Sequence, residues 1–160
     1  MNRSLLLFVF VTVALGSPVQ GAEKIAGRAA QFRIASPETA HFIRVPFLPS
    51  CMRVSMVQGD PRKGASIVLA RIAPGCVIPA HWHNANTQLI FISGYGTHQI
   101  RDGKPARVGA GDYISLPAGR VHSFKCLSSC LVYNLQDRVD VVHWIDAQGH
   151  EISPARAFAH

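Results

Sequence analysis

The chain has 160 residues, 48% of them hydrophobic, with a formal net charge of +7, eight histidines and four cysteines. One domain with a sizeable core accounts for that length. The positive excess is scattered: Arg62-Lys63 is the one adjacent basic pair and no aromatic pattern interleaves the cations, which argues against nucleic acid as a partner and towards anionic small molecules or an acidic envelope surface.

Arg3 stands ahead of an apolar run from Leu5 to Leu15. The run is shorter than the ~20 residues that a bilayer span needs, and Val19 and Gly21 then occupy the positions of a signal-peptidase site. Residues 1–21 are predicted to be a cleaved secretory signal, which leaves no stable membrane span and places the mature chain in the periplasm or outside the cell. Losing Arg3 with the signal lowers the net charge from +7 to +6. Export also bears on the cysteines, because disulfides persist in oxidising compartments.

Residues 22–40 are small and polar with weak helical periodicity, and read as an N-terminal arm. From 41 to 148 short apolar segments alternate with turn residues. Met52 to Val57, Ser66 to Ile72, Gln88 to Ser93, Gly96 to Arg101, Tyr113 to Leu116, Val121 to Lys125, Leu131 to Leu135 and Val139 to Ile145 are predicted strands. Gly59 to Gly64, Pro74-Gly75, Asp102-Gly103, Gly109 to Gly111 and Pro117-Ala-Gly119 punctuate them. Roughly ten-residue spacing with no sustained helical period argues an all-β sandwich or barrel. Residues 149–160 read as a C-terminal tail, and no internal repeat or linker divides the chain.

Two stretches carry the chemistry: Gly75-Cys-Val-Ile-Pro-Ala-His81-Trp-His83 and Gly111-Asp-Tyr-Ile-Ser-Leu-Pro117-Ala-Gly119-Arg-Val-His122. His81 and His83 are two residues apart, so in a strand their side chains leave one face about 6.7 Å apart, within reach of one metal ion. His122 is the third candidate ligand. Together the stretches resemble the paired motifs of the cupin superfamily, Gly-(x)5-His-x-His-(x)3-4-Glu-(x)6-Gly and Gly-(x)5-Pro-x-Gly-(x)2-His-(x)3-Asn. The resemblance covers roughly residues 50 to 146. It implies a cupin jelly-roll barrel, a double-stranded β-helix, holding one divalent transition metal on His81, His83 and His122, with Fe, Zn, Ni, Cu and Mn all open. Dimers are common in that family, so a homodimer is implied too.

The chain departs from the motifs twice. Where the family places its metal-binding glutamate stands Thr87, or Gln88 by the longer spacing, and no Asp or Glu occurs between Asp60 and Asp102. Where motif two closes on asparagine stands Cys126. A metal here would meet three neutral imidazoles, with Thr87, Gln88 and Cys126 as candidates for a fourth or surrounding position. Its uncompensated charge would favour a small anionic or chelating molecule.

Family members with three-histidine iron include thiol dioxygenases and an enzyme cleaving β-diketones, so the resemblance implies an oxygenase-type enzyme. The same ligands around zinc can activate water for hydrolysis or lyase chemistry. With the motif glutamate absent, His98 is the candidate catalytic base, because it shares strand parity with Ile100 and points inwards with it; a structural histidine is the plain alternative. His143, beside Trp144, is a weaker candidate, and Trp82 faces away from the metal. Cys126 and Cys130 bracket three residues, and across a hairpin their Cα atoms approach the ~5.5 Å of a disulfide. Either they are bonded, leaving Cys51 and Cys76 as the other pair, or Cys126 is a pocket thiol. Three readings follow: a metal-dependent enzyme, a non-enzymatic metal- or ligand-binding cupin of the cell envelope, and a metal-free structural domain.

Overall fold

The computed structural model describes residues 32–159, so the expected signal and residues 22–31 of the expected arm lie outside the described residues. One compact unit begins at Ile34. Its strands are β1 (Met52–Gln58), β2 (Ser66–Ile72), β3 (Val77–His83), β4 (Thr87–Ser93), β5 (Tyr95–Ile100), β6 (Ala106–Gly109), β7 (Tyr113–Leu116), β8 (His122–Cys126), β9 (Cys130–Gln136) and β10 (Val142–Trp144), followed by one helical turn, α1 (Pro154–Ala157).

The strands form two five-stranded antiparallel sheets, ordered β1-β2-β9-β4-β7 and β10-β3-β8-β5-β6. From β2 to β5, and again from β6 to β10, each strand lies in the sheet opposite its predecessor. That alternation winds the chain into a jelly roll. Period-two patterning decides what faces inwards: Val68, Ala70 and Ile72 of β2 meet Phe91 of β4, Phe124 of β8 and Val132 of β9 in one buried cluster. Gly94 joins β4 to β5 at φ +77°, and a Cβ there would run into the backbone at Ser129 and Cys130. Only glycine fits so close an approach.

Three details differ from the sequence expectation. β6 falls where no strand is predicted, because Val108 is its one buried side chain and no alternation marks it. The predicted run Val139 to Ile145 forms a strand only at β10, since its first residues bond elsewhere: Asp140 N–H donates to Pro61 O at 2.8 Å and Val141 N–H to the Asn84 side chain. Residues 149–160, expected as a tail, pack onto the barrel. Glu151 bridges Ile145, Ser153 caps α1, Ala157 is buried, and Phe158 meets the Trp144 ring edge-on at 4.8 Å.

Two disulfides tie the sheets together. Cys126–Cys130 joins β8 to β9, and Cys51–Cys76 joins the residue before β1 to the residue before β3. No free cysteine is left. The first bond closes a loop with a sequence separation of 4 and the second one of 25, so loop-closure entropy assigns them about 2 and about 3.5 kcal/mol. Urea unfolding of the double alanine variants should show the larger loss for Cys51 and Cys76; the reverse order would locate the effect in packing around the fully buried Cys126 and Cys130 rather than in chain entropy.

Candidate metal centre

β3 carries His81 and His83, and β8 carries His122 directly opposite His81. Pro79 and Ala80 sit in a bulge in the β3–β8 register between Ile78 and His81, a position where a strand tolerates proline. The turn before β8 is fastened to the ligand strand, because Gly119, at φ +75°, donates its N–H to His83 O at 2.8 Å. Ring centroids lie 4.1 Å apart for His81 and His122, 5.1 Å for His81 and His83, and 5.5 Å for His83 and His122. One nitrogen from each ring lies within 4.8 Å of the other two.

The Nδ1 nitrogen of each ring is already committed. His81 Nδ1 lies 2.7 Å from Pro79 O, His122 Nδ1 2.9 Å from Arg120 O, and His83 Nδ1 2.8 Å from Asp140 Oδ2. A carbonyl or carboxylate oxygen only accepts, so each Nδ1 carries a proton and Nε2 is the nitrogen left for a metal. Three oriented imidazoles grouped this closely are a donor set that divalent zinc, iron, nickel or copper takes, with coordination positions left open. The residues fit a metal.

Burial sets the electrostatics. It pushes the His81 imidazole well below its ordinary pKa, and the neighbouring His122 and His83 rings add to the effect while the Pro79 carbonyl opposes it. Burial likewise lowers His122 to about 3, against the pull of the Arg120 carbonyl, and lowers His98. These rings stay neutral at ordinary pH.

The centre opens on a cavity of about 70 Å³ between the sheets. Its walls are apolar, with Leu48, Met52, Leu89, Phe91, Phe124 and Val142 prominent, and His98 and Asn134 add polar groups. His98, from β5, is buried, stacks on His122 at 5.3 Å, and leaves its Nε2 without a partner.

The other positions singled out in the sequence lie elsewhere. Thr87 points inwards and is 1% exposed, but it does not line the cavity; Leu89, two residues on, does. Gln88 faces outwards, as its parity with the exposed Ile90 requires. The sulfur of Cys126 is consumed by its bond to Cys130, so the chain offers no pocket thiol there. Trp82 and His143 stack outside the cavity at 3.7 Å and 3°, and His143 Nδ1 approaches Glu151 at 3.2 Å. Two contributors escaped the sequence reading. Trp144 packs against His81 at 4.9 Å and donates its indole N–H to Phe47 O at 3.1 Å. Asp140 belongs to no motif; its one signal is a carboxylate inside the apolar run Val139 to Ile145.

A double-stranded β-helix with inward histidines on adjacent strands is the architecture of a cupin-type barrel. Residues 68–134 match the family model of the cupin domain, and the barrel is a cupin jelly roll. Among solved structures it resembles the polyketide cyclase RemF from Streptomyces resistomycificus, at 17% identity over 70% of this chain and 84% of that one, with a TM-score of 0.59. An RmlC-like cupin from Ralstonia eutropha gives 14% identity, 77% and 78% coverage and a TM-score of 0.59. KdgF from Halomonas sp. gives 18% identity, 67% and 94% coverage and a TM-score of 0.56. At such identities the likeness is one of fold. No curated protein matches the chain significantly.

The depressed imidazoles predict a pH dependence of stability. Unfolded histidines titrate near 6.5 whereas folded His122 resists protonation down to about 3. Below pH 6.5 protons therefore bind the unfolded chain preferentially, and stability must fall. At pH 5 each excluded imidazole costs roughly 2 kcal/mol. Urea midpoints of metal-free protein should drop between pH 7.5 and 5, well above the range where carboxylates titrate. A flat profile would mean that water reaches these rings in the folded state.

Proposed function

We propose that this cupin binds one divalent transition metal through His81, His83 and His122 and is a metal-dependent enzyme of oxygenase type acting on a small chelating molecule. The observation that carries this reading is the grouping of three imidazoles, one nitrogen of each within 4.8 Å of the others, whose Nδ1 atoms are all tied to acceptors. Held there, a divalent ion supplies Lewis acidity and open coordination positions. The chain supplies the rest. The apolar walls exclude water from a molecule bound beside the imidazoles, and Leu48 and Phe91 confine its body. The unpartnered His98 Nε2 is the group on the cavity wall placed to take a proton from that molecule or to hydrogen-bond it.

We also propose that the protein works in the periplasm or outside the cell. The predicted secretory signal at residues 1–21 supports this, as do two disulfides, which an oxidising compartment maintains.

Elemental analysis of natively purified protein should find one Fe, Zn, Ni, Cu or Mn per chain, and His81→Ala combined with His122→Ala should abolish it. A metal-free native protein would sink the reading. Oxygen uptake should then appear with some member of a panel of thiols, diketones and phenolics, and His98→Gln should lower it by about 10²-fold or more. Full metal content without turnover on any of them would favour a non-enzymatic binding protein, a reading that the absence of a carboxylate among the described residues of the cavity wall also favours.

A further inference from the structure

A carboxylate does reach this centre, from outside both motifs. Asp140 lies between β9 and β10, its side chain is 6% exposed, and its Oδ2 accepts the His83 Nδ1 proton at 2.8 Å. The other two rings give that proton to neutral carbonyls. One imidazole of the three is thus backed by a full negative charge.

Asp140 is held in place on both sides. Asn84, adjacent to the ligand His83, donates to Val139 O at 3.1 Å and accepts from Val141 N–H. Asp140 N–H is fixed on Pro61 O. No Lys or Arg pairs with it among the described residues: Arg138 pairs with Asp137 instead, and Asp140 Oδ1 is buried with no hydrogen bond. A half-satisfied buried carboxylate is costly unless positive charge stands nearby. The convergent imidazoles mark where that charge belongs.

Resting on the metal reading above, we propose that Asp140 is the carboxylate missing from the motif, displaced one residue outwards, where it positions His83 and cancels one of the metal's two positive charges. The ligand class follows. A centre of net single charge, in apolar walls that hold no Lys or Arg among the described residues, takes small neutral or singly charged chelating molecules in preference to dianions. This differs from the anionic ligand that an uncompensated three-histidine centre would favour.

Cobalt(II)-loaded protein tests it, with the visible spectrum of the metal as the readout and two bidentate oxygen chelators of similar size as probes: acetohydroxamate, bound as a monoanion, and oxalate, a dianion. The wild type should bind acetohydroxamate more tightly than oxalate. Asp140→Asn keeps the acceptor but removes the charge. It should retain one cobalt with affinity reduced about tenfold, and should tighten oxalate binding by more than it tightens acetohydroxamate. Asp140→Glu should restore the original preference. Cobalt retained in Asp140→Asn with an unchanged preference overturns the proposal. If Asp140→Asn loses cobalt altogether, recovery of cobalt and selectivity in Asp140→Glu supports it, and failure of both variants overturns it. A wild type that takes up no cobalt removes the metal reading itself.

Discussion

The cross-strand pairing of His81 with His122 sets the geometry on which the centre depends. Strands from distant parts of the chain meet there in adjacent positions of one sheet, and the ladder hydrogen bonds fix their register. His83 then follows from the period of the strand, two residues along on the same face. A register slip of one residue would turn His122 to the outside and dissolve the cluster. The bulge at Pro79 and Ala80 lies immediately before His81, where it re-aims the strand and also supplies the carbonyl that orients the ring.

Around that pairing the protein accepts unfavourable burial. Four inward histidines line an apolar cavity, and burial disfavours the protonated forms of His81, His98 and His122. Of the three buried side-chain atoms without hydrogen-bond partners among the described residues, His98 Nε2 lines the cavity and Asp140 Oδ1 backs its wall. Folding alone would select against such groups, so their concentration in one place marks where stability has been set against a binding task. The disulfides that brace the two sheets act in the opposite direction, by restricting the unfolded chain.

How much of this the sequence reveals depends on the range of each signal. His81, His83 and His122 are legible because strand parity and short glycine-rich turns are local features. The all-β class is legible for the same reason. β6 is not, since a strand with one buried residue has no periodicity to detect. Asp140 is not, because it meets His83 only after β10 has paired with β3, and no spacing within either segment encodes that contact. Thr87 shows the limit of motif counting: its inward parity is evident from β4, but whether an inward residue stands at the cavity wall depends on packing by both sheets.

Trp144 gives the centre an optical consequence. The chain has two tryptophans, and Trp82 lies flat against the exterior imidazole of His143. Trp144 is buried, fastened through its indole N–H, and in ring contact with His81. An excited indole that close to His81 is exposed to quenching by any ion the histidines take up, so the fluorescence of the unlabelled protein would report occupancy of the proposed centre directly.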